Sequence, residues 1–164
     1  MAPSRQATGV SRLRAWATGS RIRIALLVLV ALFFLIQLVP YGHSHDNPPV
    51  TQAVTWDSPR TEQLFTDACG ACHSNLTDWP WDSYVAPASW LVQRDVDEGR
   101  GILNVSEWDR PQAGAEEAGE AVTEGEMPPL QYKIMHSSAR LSDSERQELA
   151  DGLTRTFQQD PPGP

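Results

Sequence analysis

Five consecutive residues, Cys69-Gly70-Ala71-Cys72-His73, bring together side chains whose types and spacing can do chemistry. Two thiols three residues apart on one turn can each add to a vinyl group of a haem macrocycle, forming thioethers. The next residue, a histidine, then faces the iron as proximal ligand, so C-x-x-C-H is the attachment signature of c-type haem. The chain has two cysteines in all, so attachment uses both and a disulfide framework is excluded. Other chemistries fit less well. A thioredoxin-like redox pair requires a βαβ pattern around C-x-x-C, which is absent. A structural zinc site requires four ligands, and this cluster supplies three.

The sixth iron position decides what such a haem does. The candidates are Met127, with Met135 and His136 as alternatives. Met127 lies in Gly125-Glu126-Met127-Pro128-Pro129, where two prolines stiffen the loop and lower the entropy cost of holding a thioether on iron. Methionine raises the reduction potential and closes the iron to outside ligands, whereas His136 would give bis-histidine iron at lower potential. Around the macrocycle, Trp79, Trp81, Trp90 and Arg100 are candidate pocket residues, the tryptophans for apolar area and Arg100 for a propionate.

The elements that must position these residues read as helices. Ser58 as N-cap and Pro59 at the first position open a helix carrying Leu64, Phe65 and Ala68 into the cysteine motif. Pro87 starts a second helix through Trp90 and Leu91 that ends near Gly99. Pro111 to Thr123, rich in Ala and Glu, predicts a third, mostly exposed helix stopping before Gly125. Ser142-Asp143-Ser144-Glu145 is a capping box, followed by Leu149, Leu153 and Phe157 at helical spacing. No segment alternates long enough for a strand. The expected fold is all-α, a small helical haem domain with long ordered loops, preceded by one N-terminal transmembrane helix; its cytochrome c-like character is what the resemblance given below implies.

Charge is divided unevenly along the 164 residues. Residues 1–45 hold five arginines and no acid, and residues 46–164 hold 8 basic and 21 acidic residues, a net −13. An acidic body excludes nucleic-acid binding, which needs clustered Lys and Arg. Ile24 to Val39 is apolar except for Gln37. As a helix it covers about 24 Å, and Ile22, the stems of Arg21 and Arg23, Pro40 and Tyr41 extend it toward a ~30 Å hydrocarbon core. Arginines precede the run and none follows closely, so the amino terminus is expected in the cytoplasm and the rest outside. A cleaved signal peptide, with Gly42-His43-Ser44 as its weak site, exports the body equally. The expected segments are a basic tail over 1–21, a signal anchor over 22–41, a linker over 42–56, the haem domain over 57–158 and a disordered tail over 159–164. His43 and His45, in the linker, are expected to be solvated.

Cys69 to Leu153 resembles the haem-binding domain family of small exported monohaem C-x-x-C-H proteins with a tryptophan-rich middle. The matching residues include Cys72-His73-Ser74-Asn75-Leu76-Thr77, Trp79-Pro80-Trp81, Val85-Ala86-Pro87, Ser89-Trp90, Gly99-Arg100, Ser106-Glu107-Trp108, Gly125-Glu126-Met127-Pro128, Tyr132, His136 and Ala139-Arg140-Leu141-Ser142. Asp82 stands where the family more often has tyrosine. The ending also resembles class I cytochromes c, in which a Met-Pro loop precedes a last helix packed on the first, and this resemblance implies Met127 as distal ligand.

These readings converge on a membrane-anchored monohaem c-type cytochrome, with one covalent haem c. It is expected at the cytoplasmic membrane with its domain on the periplasmic side, passing single electrons between redox partner proteins. It is a carrier rather than a catalyst. The alternative is a haem-based sensor or ligand binder with an open or labile sixth position.

Overall fold

The computed structural model describes residues 9–164, with side chains from residue 20 onward. Arg5, Arg12 and Arg14 of the expected basic tail therefore lie outside the described side chains. The chain divides into two units, residues 1–40 and 41–164.

In the first unit α1 spans Gly9–Ile36. Its large apolar side chains from Ile22 to Leu35 are exposed, as are Leu38 and Val39 beyond its end. The helix stops five residues short of the expected Tyr41. Pro40 disfavours helical geometry at Val39 and has no N–H to continue the ladder. Among the described residues, no helix is long and apolar enough to cross a membrane.

The second unit is helical, with no strands among the described residues. It contains α2 (Pro59–Ala68), α3 (Gly70–His73), α4 (Ala88–Ile102), α5 (Ala118–Thr123), α6 (Leu130–Met135) and α7 (Asp143–Gln159), with 3₁₀ turns at Trp81–Tyr84 and Ser137–Ala139. Ser58 caps α2 by accepting from the Thr61 N–H, and Pro59 is its first residue. The capping box of α7 is complete, since the Ser142 hydroxyl accepts from the Glu145 N–H and the Glu145 carboxylate accepts from the Ser142 N–H. The third expected helix is shorter than its composition suggests. Turns occupy residues 113–117, and Gln112 and Ala115 are buried there, so helix is left only from Ala118.

The core is built where α2, α5 and α7 meet the non-helical segment 103–108. Leu64, Phe65, Val122, Leu149 and Leu153 pack with Trp108, which is fully buried. The α2–α7 crossing is close. A Cβ at Gly152 would lie 2.3 Å from Thr61 Oγ1, so only glycine admits this approach. Burial of this apolar area is the main favourable term in a domain this small.

Two segments expected to be loose are tied down. Residues 159–164 are not a disordered tail, because the Trp108 indole N–H donates to Asp160 O (2.9 Å) and the Gly163 N–H donates to Trp108 O (2.8 Å). Residues 42–56 are a strap bound along the domain rather than a free linker. The Thr51 and Val54 N–H groups donate to Ser106 O and Val105 O, and Asn75 Nδ2 donates to Pro49 O. His45 is half-buried, with its ring 4.8 Å from Trp79 and 4.2 Å from Tyr84 and its Nε2 2.8 Å from Ser83 O. The prolines at 48 and 49 rule out helix, and the N–H groups of Thr51, Gln52 and Val54 and the carbonyl of Gln52 find partners on the 103–108 segment instead.

Candidate functional site

The cysteine motif forms α3 directly after α2. The N–H groups of Cys72 and His73 both donate to Cys69 O, at 3.1 and 3.0 Å, so the motif is one tight turn. That turn packs against α4 at Gly99. A Cβ there would lie 2.6 Å from Cys72 O, so the absence of a side chain lets the two helices meet.

His73 Nδ1 lies 2.9 Å from Leu103 O. A carbonyl only accepts, so Nδ1 carries the proton and the lone pair sits on Nε2. Burial pushes the His73 pKa down, against the opposing pull of the Leu103 and Gly99 carbonyls. The ring is therefore a neutral imidazole with fixed orientation, the form that ligates a metal.

His73 borders an open cleft of about 1040 Å3, counting the solvent space at its mouth, whose wall also includes Cys69, Cys72, Ile102, Met127 and Tyr132. A smaller hollow of about 560 Å3 adjoins it, lined by Phe65, Ala121, Val122 and Leu153. Both are bordered by Cys69, His73, Ile102 and Met127. Met127 is 38 % exposed, and its N–H donates to Ala121 O at 3.0 Å.

Burial, reinforced by proximity to Cys72, pushes the Cys69 thiol up to about 12, and burial, then Asp95, pushes Cys72 up to about 11. Both are neutral thiols near pH 7, unlike the activated thiolate that disulfide exchange requires. Among the described residues, no group of three or more His, Cys, Asp or Glu is arranged to hold a metal ion by itself.

The other residues expected at the site are placed elsewhere. Trp79, Trp81, Trp90 and Arg100 do not border the cleft. Arg100 donates to Ser74 O, Asp46 O, Asn47 Oδ1 and Thr77 Oγ1, each at 2.9 Å. It lies 6.0 Å from the Trp79 ring centroid. Arg100 and Trp79 thus hold the strap, a role invisible while the strap reads as linker. The indole nitrogens of Trp79 and Trp90 are buried without a hydrogen-bond partner among the described residues, and Trp81 is 73 % exposed. Met135 is exposed, and His136 stacks on Tyr132 at 4.1 Å between centroids, on the wall of a different cavity. Arg140 donates to Lys133 O and Ile134 O, closing the end of α6.

The site also holds residues that spacing alone did not single out for it. Tyr132, its hydroxyl pushed up to about 12 by burial and then by the two cysteines, borders the cleft from α6. Ile102, Leu91 and Arg94 border it from α4. Tyr132 belongs to the matched pattern, but only the folded chain brings it beside the cysteines.

An all-helical domain with two thiols, a neutral histidine and a methionine on one largely apolar cleft is suited to a flat macrocycle with a central metal. Residues 31–155 match the family described as the haem-binding domain, and the chain belongs to that family. No curated protein and no solved structure matches the chain significantly. The residues fit haem, since the walls are mostly apolar and His73 presents an imidazole of the right protonation state.

Proposed function

We propose that this chain is a membrane-anchored monohaem c-type cytochrome that transfers single electrons outside the cytoplasmic membrane. In this reading Cys69 and Cys72 hold one haem through thioethers, His73 is the proximal ligand and Met127 the distal one. The observation that carries it is the grouping of His73, both thiols and Met127 on one cleft, with His73 Nδ1 tied to Leu103 O. Bound haem supplies the iron that cycles between ferrous and ferric states. Leu103 fixes the imidazole, Gly99 lets α4 close on the motif, and Phe65, Val122 and Leu153 give the adjoining hollow an apolar wall. The exposed apolar run from Ile22 to Val39 behind Arg21 and Arg23 supports the anchor and its orientation. Redox partners are proteins at that membrane.

The test is the visible spectrum of the reduced protein from a host that attaches haem, before and after carbon monoxide. Covalent haem unaffected by the gas is expected. Covalent haem that takes up the gas favours the second reading, a haem-based sensor, for which the partial exposure of Met127 speaks. Covalent haem surviving Cys69→Ala with Cys72→Ala would overturn both.

A further inference from the structure

The 3₁₀ turn Trp81–Tyr84 presents aromatic surface that, apart from His45 against the Tyr84 ring, is left largely uncovered by the described residues. Trp81 is 73 % and Tyr84 60 % exposed, and Val85 beside them is also exposed. The turn itself is firmly built: the Ser83 hydroxyl donates to Pro80 O, and Val85 O accepts the Ser89 N–H at the start of α4.

Gly42 packs on that same first turn of α4. Its φ is +80°, and a Cβ there would lie 2.6 Å from Ser89 O, so neither the backbone conformation nor the space admits a side chain. Tyr41, next to it, is exposed. The chain therefore leaves the domain beside the aromatic turn. Two residues, Pro40 and Tyr41, separate Val39, the last of the apolar run, from Gly42, so three residue steps span at most about 11 Å. The headgroup layer on one side of a bilayer is about 5–8 Å deep. Tryptophan and tyrosine, each with an apolar ring and a polar edge, are the side chains that settle in that layer.

We propose that Trp81, Tyr84 and Val85, with Tyr41, seat the domain on the lipid headgroup layer of the membrane that holds its anchor. The proposal rests on the anchored reading above. The −13 charge of residues 46–164 opposes adhesion to anionic lipid, so the seat is aromatic and insensitive to salt. Leu91 and Arg94, within about 8 Å along α4 of Ser89, border the cleft. One side of the cleft mouth is thereby held near the lipid surface, within reach of a membrane-embedded partner.

The experiment uses the full haem-loaded chain in phosphatidylcholine vesicles containing a lipid with a photoreactive group near its headgroup. Adducts are mapped by mass spectrometry. Adducts are expected in the peptide containing Trp81–Val85 as well as in residues 22–41, unchanged in high salt. Trp81→Ser with Tyr84→Ser removes the apolar area of two rings and is expected to lower the 81–85 adducts by about tenfold. It should leave the 22–41 adducts and the haem spectrum as they were. Adducts confined to 22–41 would overturn the seat and keep the anchor. Adducts nowhere would overturn the anchor and the seat with it, and protection of 81–85 without adducts would assign that surface to a protein.

Discussion

His73 illustrates how one hydrogen bond sets a side chain's chemistry. Donation from Nδ1 to Leu103 O fixes the tautomer, and burial keeps the ring neutral. Among the candidates for the opposite side of an iron, Met127 borders both parts of the cleft, while Met135 and His136 do not. Met127→Ala is therefore expected to lower the midpoint potential and to open reduced iron to carbon monoxide, read by potentiometry and by the gas-induced spectral change. Met135→Ala should leave both unchanged. At Gly99 the constraint is space rather than electronics. Gly99→Ala sets a methyl against the Cys72 carbonyl and is expected to cost about 1–3 kcal/mol, the usual range for overpacking. Urea unfolding measures the loss, and the fraction of chain carrying covalent haem should fall with it.

Between elements, the strap is held by side chains that the sequence suggested for a different task. Arg100 makes four hydrogen bonds, two of them to Asp46 and Asn47. Arg100→Met keeps most of the apolar stem and removes all four. A loss of about 2 kcal/mol is expected from two or so net hydrogen bonds, with faster amide exchange across residues 46–54 and an unshifted haem spectrum. A spectrum that moved with it would place Arg100 at the cleft after all. The contrast with α2 and α7 explains what was legible beforehand. Ser58-Pro59 and Ser142 to Glu145 are local signals, with cap and capped residue within one turn, and both helices start where those signals say. The strap's partners are Ser106, Val105 and Asn75, more than twenty residues away, and Pro48-Pro49 spells linker whether or not such partners exist. The tryptophans gave the same difficulty. Composition showed large rings needing burial, but not that Trp79 lies against His45 while Trp108 enters the core.

For the whole molecule, acid should be the destabilising direction. Glu107 is held below its ordinary 4.5 by hydrogen bonds from Asn75 and then Arg110. At Asp57 burial pushes upward, but hydrogen bonds from Thr61, Arg155 and Thr156 outweigh it and leave the carboxyl below 3.8. Folded-state values below the unfolded ones mean that this stabilisation is complete above the ordinary carboxyl range and is lost as the pH falls through it. Melting temperature is expected to be level in pH down to about 5 and to decline below. Glu107→Gln should flatten part of that decline. A melting temperature that rose on acidification from pH 5 to 3 would contradict this account.

Gly152 and Thr61 have a consequence of a different kind. The Thr61 hydroxyl lies 2.9 Å from that of Ser58 at the start of α2, and its side chain fills the space a Cβ at 152 would take. The two positions share one methyl-sized allowance at the crossing of α2 and α7. A lineage that acquires alanine at 152 is expected to lose bulk at 61 first, because the reverse order leads through a chain overpacked at the helix crossing. Thr61→Gly followed by Gly152→Ala is a passable path. Taken the other way it passes through a destabilised intermediate, so divergence at these two sites should be ordered in time.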